Sequence, residues 1–463
     1  MYNGRKVFLG LTKEKAAGAT AGEAGAPLQR NSAHTTEAGE DGPTYSYRGI
    51  DNDSYYLLTS DQRQYINDTG CGNTVRTGHP AGRVLVLESL DFWARTMGVD
   101  GFRFDLASIL SRAADGTMQQ HEASLVAEIS LLGRMQNFRL IAEAWDIASY
   151  QLGRGFPGAT WLQWNGKFRD DIRSFVKSDA GKVPALMQRL YGSDDLFPDG
   201  FYNTYRPYQS INFITAHDGF CLYDLVSYNG KHNEANGHNN TDGSDGNLSW
   251  NCGWEGDNNV PMEVLALRRQ QAKNFCALLM LANGTPMILA GDEFLNTQRG
   301  NNNPYNQDND ITWLDWNRLE QNQDVFRFFK HMIAFRKAHP SIGREVFWRE
   351  HVSWYGPDGP VDFGLESRRL AYLLRGASVA DDDLYVMING HWEDCDFKLF
   401  DEEPHKWRQV ADTSRRSPED IFEPGKEPKI ENASCKVRGR SIVILRKQRV
   451  SESTNSDPRL LKS

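Results

Sequence analysis

Three apolar runs in this sequence of 463 residues each end in carboxylates. In Gly101-Phe102-Arg103-Phe104-Asp105-Leu106 the apolar residues alternate with Arg103 and Asp105, the pattern of a short buried strand. Arg139-Leu140-Ile141-Ala142-Glu143-Ala144-Trp145-Asp146 and Ile211-Asn212-Phe213-Ile214-Thr215-Ala216-His217-Asp218 repeat the arrangement. Burying charge is costly unless the charge is paired or used. Parallel α/β barrels keep their chemistry at the C-terminal ends of their strands, where these three carboxylates would stand. Two carboxyl groups about 5–5.5 Å apart are what retaining glycoside hydrolysis requires, one as nucleophile and one as proton donor.

Arg103 precedes Asp105 by two residues, so their side chains share one strand face and the guanidinium favours the ionised acid. Glu143 follows Ile141 and Ala142 and precedes Trp145, an apolar setting that suits a proton donor near neutral pH. His217, beside Asp218, can donate to sugar hydroxyls. Each reading has a plainer rival. Arg103 and Asp105 could form a structural ion pair. Asp146 could be the acid in place of Glu143, although its odd offset points it to the opposite strand face. Asp292 and Glu293 end another apolar run and read as a loop-anchoring pair. Trp161 and Trp164 are candidates for stacking on sugar rings, with core packing the alternative. Trp313 and Trp316 read as packing. His232 reads equally as a glycan contact or as an exposed loop residue.

The elements that must position these groups follow from periodicity. Residues 1–33 are Ala/Gly-rich and read as a tail, and 34–80 as a long polar loop. Val84, Leu87, Leu90, Trp93 and Met97 fall near one face of a helix closed by Gly98. Helices over 122–135, 171–177, 260–281 and 323–338 alternate with strands at 101–106, 140–145, 161–165, 212–215 and 286–290. Alternation of this kind predicts βα units and a parallel sheet across 34–340. After Pro340 the runs 384–388, 397–399 and 441–445 predict an antiparallel β domain over 341–448, followed by a polar tail at 449–463.

The formal net charge is −9 and no basic block is present, which argues against a nucleic-acid partner. An uncharged polar substrate such as a polysaccharide fits better. None of the six cysteines forms a C-x-x-C pair, so neither a zinc site nor a disulfide framework is expected, and a reducing compartment is. No apolar run approaches the roughly 20 residues of a membrane helix, and no secretory h-region is evident. No cofactor or metal site is expected.

In its motifs the chain resembles the α-amylase superfamily, and within it the isoamylase and glycogen-debranching branch. The three carboxylate segments carry the resemblance. More specific are Thr69-Gly70-Cys71-Gly72-Asn73-Thr74, His232-Asn233-Glu234-Ala235-Asn236-Gly237, Gly291-Asp292-Glu293-Phe294, Arg299-Gly300-Asn301-Asn302-Asn303 and Trp313-Leu314-Asp315-Trp316, all in order. The resemblance implies a retaining hydrolase of α-1,6 branch points in glycogen or starch-type glucans. Asp105 would be the nucleophile, Glu143 the general acid/base, and Asp218 the residue that steadies the distorted sugar. Arg103, His217, His34, Trp145, Trp164 and His232 would contact substrate.

The resemblance also implies a (β/α)8 barrel with a C-terminal antiparallel β-sandwich, here without its first strands. His34-Thr35 survives from the family's first motif, but Ala33 stands where Asn belongs and Gln29 where Asp belongs. An incomplete barrel leaves two open edges, so association into a homo- or hetero-oligomer is expected. Two rival functions are a glucan branching or transfer enzyme and a truncated, inactive or regulatory glucan-binding subunit. The family implies the plastid stroma in a plant or alga and the cytoplasm otherwise.

Overall fold

A computed structural model describes residues 8–10, 35–119, 124–200, 205–401 and 403–449. His34 and most of the expected tails lie outside the described residues. Six strands form a parallel sheet in sequence order: β1 (Phe8–Gly10), β2 (Gly101–Phe104), β3 (Arg139–Ala142), β4 (Leu162–Trp164), β5 (Ser210–Asn212) and β6 (Thr285–Pro286). Among the described residues no pairing joins β6 to β1, so the sheet is open.

The helices are α1 (Arg48–Tyr55), α2 (Pro80–Arg95), α3 (Ser124–Gln136), α4 (Gly166–Val176), α5 (Val183–Tyr191), α6 (Leu222–Leu225), α7 (Met262–Leu281), α8 (Asn317–Gln321) and α9 (Gln323–Ala338). Most of them lie between the strands, as parallel pairing requires. His79 caps α2 by accepting from the Ala81 amide, and Pro80 takes the first turn, where its missing N–H costs nothing.

Several expectations are corrected. Helix α2 starts at Pro80, and its buried stripe is Gly82, Val86 and Leu90, while Val84 and Met97 face solvent. The helix docks onto a cluster with Phe102, Phe104, Leu125 and Ile129, where Leu90 is buried and Leu87 and Trp93 pack, so only the two ends of the expected stripe fall outside it. Helix α1 interrupts the supposed loop over 34–80, and Phe8–Gly10 is a strand inside the supposed tail. The strand expected over 286–290 shortens to Thr285–Pro286, and α5 is an unanticipated helix.

Beyond α9 the chain forms a five-stranded antiparallel sheet from β7 (Val352–Tyr355), β8 (Arg369–Leu374), β9 (Asp383–Asn389), β11 (Trp407–Asp412) and β13 (Ser441–Lys447). Its order is β11-β13-β9-β8-β7, and β10 (Cys395–Lys398) pairs with β12 (Ser434–Val437) in a separate two-stranded sheet. Period-two alternation sends side chains to two cores. Leu370, Tyr372, Val386, Ile388, Ile442 and Ile444 pack toward α7 and α9, against Phe275, Phe328 and Trp348. Leu373, Tyr385, Met387, Val443 and Leu445 pack toward Phe397 and Val437 of the smaller sheet. The β region is therefore built onto the helices of the first region. At that junction Asp420, fully buried, forms an ion pair with Lys273 on α7 at 2.7 Å and accepts from Arg327 on α9 at 2.9 Å.

Candidate active site

The register of β2 on β3 places the first two acids. Phe104 lies opposite Ala142, so Asp105 and Glu143 are the next residues on adjacent strands, which run about 4.8 Å apart. One carboxylate oxygen of each, with a ring nitrogen of His217, lies within 4.8 Å of the other two atoms. Asp105, Glu143, His217 and Asp218 line a single cavity of about 590 Å³, together with Trp145 and Trp164. Asp218 stands six residues beyond β5, at the mouth, with its side chain 62% exposed.

Arg103 is buried beneath the two acids. Its Nη1 donates to Asp105 Oδ1 at 2.7 Å and its Nη2 to Glu143 Oε1. Its Cζ lies 4.3 Å from the centroid of the Trp164 ring, a cation–π contact. Glu143 Oε2 also accepts from the Leu106 amide at 3.1 Å. The expected apolar setting of Glu143 is thus corrected: its carboxylate is held as an acceptor by a guanidinium and an amide. Asp105, Glu143 and His217 are also the group with metal-type donors among the described residues, but Arg103 fills the position of a cation between the acids.

His217 Nε2 lies 3.5 Å from Asp218 Oδ2 and has no hydrogen-bond partner among the described residues. That nitrogen is buried, and the residue forms part of the cavity wall. Trp164 holds the His217 ring edge-on at 5.7 Å. Trp145 stacks on Tyr150 at 5.9 Å, and the two close a turn over 145–150 that forms one cavity wall.

Asp146, the alternative acid, anchors that turn. Its Oδ1 accepts from the Ala148 amide and the Ser149 hydroxyl, and its Oδ2 from Arg112 at 2.7 Å. Arg112 also reaches Asp68 Oδ2 at 3.1 Å. It thereby ties the segment after Asp105 to the turn after Glu143 and to the 65–75 segment. Burial raises the Asp68 carboxyl despite the adjacent Arg112.

Behind Asp218 lies a layer of buried anchors. Asp292 accepts from the Thr215 hydroxyl and from the Leu222 amide at 2.9 Å, and burial pushes its carboxyl up to about 7. Asp224 accepts from Thr297 and from the Gln298 and Gly300 amides, and burial pushes it up to about 6. Arg173 donates to the Ile214 carbonyl through Nε and Nη2. The anchoring role read for Asp292 agrees with these contacts. Asp224 was not anticipated, although a carboxylate inside Phe220-Cys221-Leu222-Tyr223-Asp224-Leu225-Val226 was a readable signal.

His232 does not join the cavity. Its ring lies edge-on to Tyr228 at 5.3 Å, and its Nε2 is 3.6 Å from Glu255. Trp161 is fully buried in the core and donates to Ser130. The packing role expected for Trp313 and Trp316 is also corrected, since both are exposed.

Residues 351–446 match the family described as isoamylase, C-terminal. The chain is 42% identical over 398 residues to "Isoamylase 3, chloroplastic" of Oryza sativa subsp. japonica, covering 85% of this chain and 50% of that one. It is 44% identical over 329 residues to the "Glycogen operon protein GlgX homolog" of Haemophilus influenzae, covering 69% and 48%. It spans about half the length of the curated relatives it matches. Among solved structures, the type I pullulanase of Bacillus subtilis superposes with a TM-score of 0.67 at 21% identity, covering 91% of this chain and 53% of that one. Over the part of the chain they share, these findings relate it to isoamylases and glycogen-operon proteins, with residues 351–446 matching the isoamylase C-terminal family.

Proposed function

We propose that this cavity cleaves α-1,6-glucosidic branch linkages of a glycogen- or amylopectin-type glucan with retention. One observation carries the reading: Asp105 and Glu143 leave neighbouring strands side by side, with carboxylate oxygens within 4.8 Å in a cavity that also holds Asp218. That spacing matches the roughly 5–5.5 Å of retaining glycosidases rather than the wider gap that admits an inverting water. The names of the relatives, isoamylase and glycogen operon protein, support the substrate class.

In this reading Asp105 attacks the anomeric carbon, kept ionised by Arg103. Glu143 protonates the departing oxygen and then takes a proton from the water that releases the glycosyl-enzyme. Asp218 and His217 Nε2 bond hydroxyls of the distorted ring, and Trp145 and Trp164 line its sides. The parallel sheet is part of a (β/α)8 barrel, and 341–448 its C-terminal β-sandwich. In a plant or alga the protein would work in the plastid stroma.

A second reading, glucan binding without hydrolysis, is favoured by the grip of Arg103 and the Leu106 amide on Glu143, which holds both of its oxygens as acceptors. Reducing-end release from amylopectin separates the two. Hydrolysis lost in Asp105→Asn and Glu143→Gln supports the first reading, and binding without release supports the second.

A further inference from the structure

Trp313 and Trp316 stand 60% and 64% exposed, on the loop that follows Asp292. Single exposed aromatics such as Trp392 are ordinary, whereas two on one short segment make a patch that calls for an explanation. These two are held in place. The Trp313 indole N–H donates to Asp308 Oδ1 at 3.1 Å, and the Trp313 amide donates to the Asn309 carbonyl at 2.9 Å. The Trp316 ring leans on buried Phe294 at 5.3 Å. Between them the Asp315 amide donates to Asn296 Oδ1 at 2.9 Å, which ties the pair to the turn that begins at Asp292. Rings already fixed lose little conformational entropy when a ligand covers them.

The pair is continuous with the face that bears the cavity. Asn302, on the same loop, accepts at its carbonyl from the Gly219 amide at 2.9 Å, one residue beyond Asp218. Neither tryptophan lines the cavity itself. Asp308, which accepts from Trp313, and the exposed sequence neighbours Asp310, Asp315 and Asn317 put polar groups on the same segment, Asp310 being paired with Arg299. Flat apolar faces set among hydroxyl-bonding groups are the chemistry that recognises a sugar ring. A branched glucan is far longer than a cavity of about 590 Å³, so most of it must lie on the protein surface.

We propose that Trp313 and Trp316 form an accessory platform for an α-glucan chain outside the cavity, holding the polymer rather than the bond that is cut. The inference rests on the glucan reading above. Its test is the retardation of the full chain by glycogen in native affinity gels. Trp313→Ala/Trp316→Ala should weaken apparent affinity roughly fivefold or more, because two stacking faces are removed, while the melting temperature holds. Trp313→Phe/Trp316→Phe should restore most of the retention. Retardation equal to wild type in the alanine variant overturns the platform and leaves the cavity reading standing. A wild-type chain that glycogen does not retard also overturns it, and reducing-end release then judges the cavity separately. If gel filtration shows a dimer that only the alanine variant dissolves, the surface is a contact between copies and the proposal falls.

Discussion

Two pairs of buried carboxylates lie on one face of this molecule, and their surroundings differ in kind. Asp105 and Glu143 share a guanidinium and open onto the cavity. Asp224 and Asp292 are closed off and receive most of their hydrogen bonds from hydroxyls and amides. Burial therefore dominates the second pair and lifts them to about 6 and about 7. A buried acid that keeps a cation and a way out is equipped to react, whereas one that keeps neutral donors and no way out staples loops.

The contrast can be broken at its strongest point first. Asp105→Asn should lower hydrolysis of a branched glucan by on the order of a thousandfold or more while the far-UV spectrum stays unchanged, since the nucleophile is lost and the shape kept. Substantial residual turnover in that variant would sink the assignment. Glu143→Gln should cost roughly a hundredfold or more, and less for a substrate whose leaving group needs no proton. Equal losses on both substrates would deny Glu143 the acid's role.

Arg112→Gln sharpens the comparison. It leaves both acids in place but unties the segments that carry them, so kcat should fall roughly tenfold with KM little changed. Rescue by Lys would be partial, because Lys cannot span Asp68 and Asp146 with one planar fork.

Asp292→Ala tests the stapling pair. It strands the Thr215 hydroxyl and the Leu222 amide, and should cost about 1–3 kcal/mol in urea unfolding. The dependence on pH probes the same pair. Asp224 and Asp292 hold protons more tightly folded than unfolded. Their contribution to stability is whole below about pH 4 and is lost as pH rises through about 6 and about 7. The melting temperature of wild type should therefore fall relative to that of Asp292→Asn between pH 4 and pH 8. A constant offset between the two would show that Asp292 does not titrate in that window.

Much of the architecture was legible in the chain. Helix α9 has the bounds that its periodicity predicts, and β9 and β13 follow their apolar runs. That Asp105 and Glu143 stand together was legible because both follow apolar runs that form adjacent parallel strands. Less legible were features set by distant partners. The limits of the buried stripe of α2 are chosen by α3 and β2, so Leu87, Leu90 and Trp93 pack as their spacing predicts while Val84 and Met97 face solvent. His232 sits in a motif, yet its loop folds it toward Tyr228 and Glu255. Trp313 and Trp316 look like core from composition, because nothing local distinguishes an aromatic that packs from one held outward.

From sequence alone came the local rules: which acids end strands, which runs alternate, where helices cap. These depend on neighbours a few residues away, and short-range sterics and hydrophobic spacing govern them. Tertiary structure alone decided what each charge touches. Arg103 meets Glu143 across 40 residues, and Thr215 meets Asp292 across 77. Whether a carboxylate reacts or staples depends on such contacts, because the energy of a buried charge is set by the donors and solvent around it and not by its place in the chain.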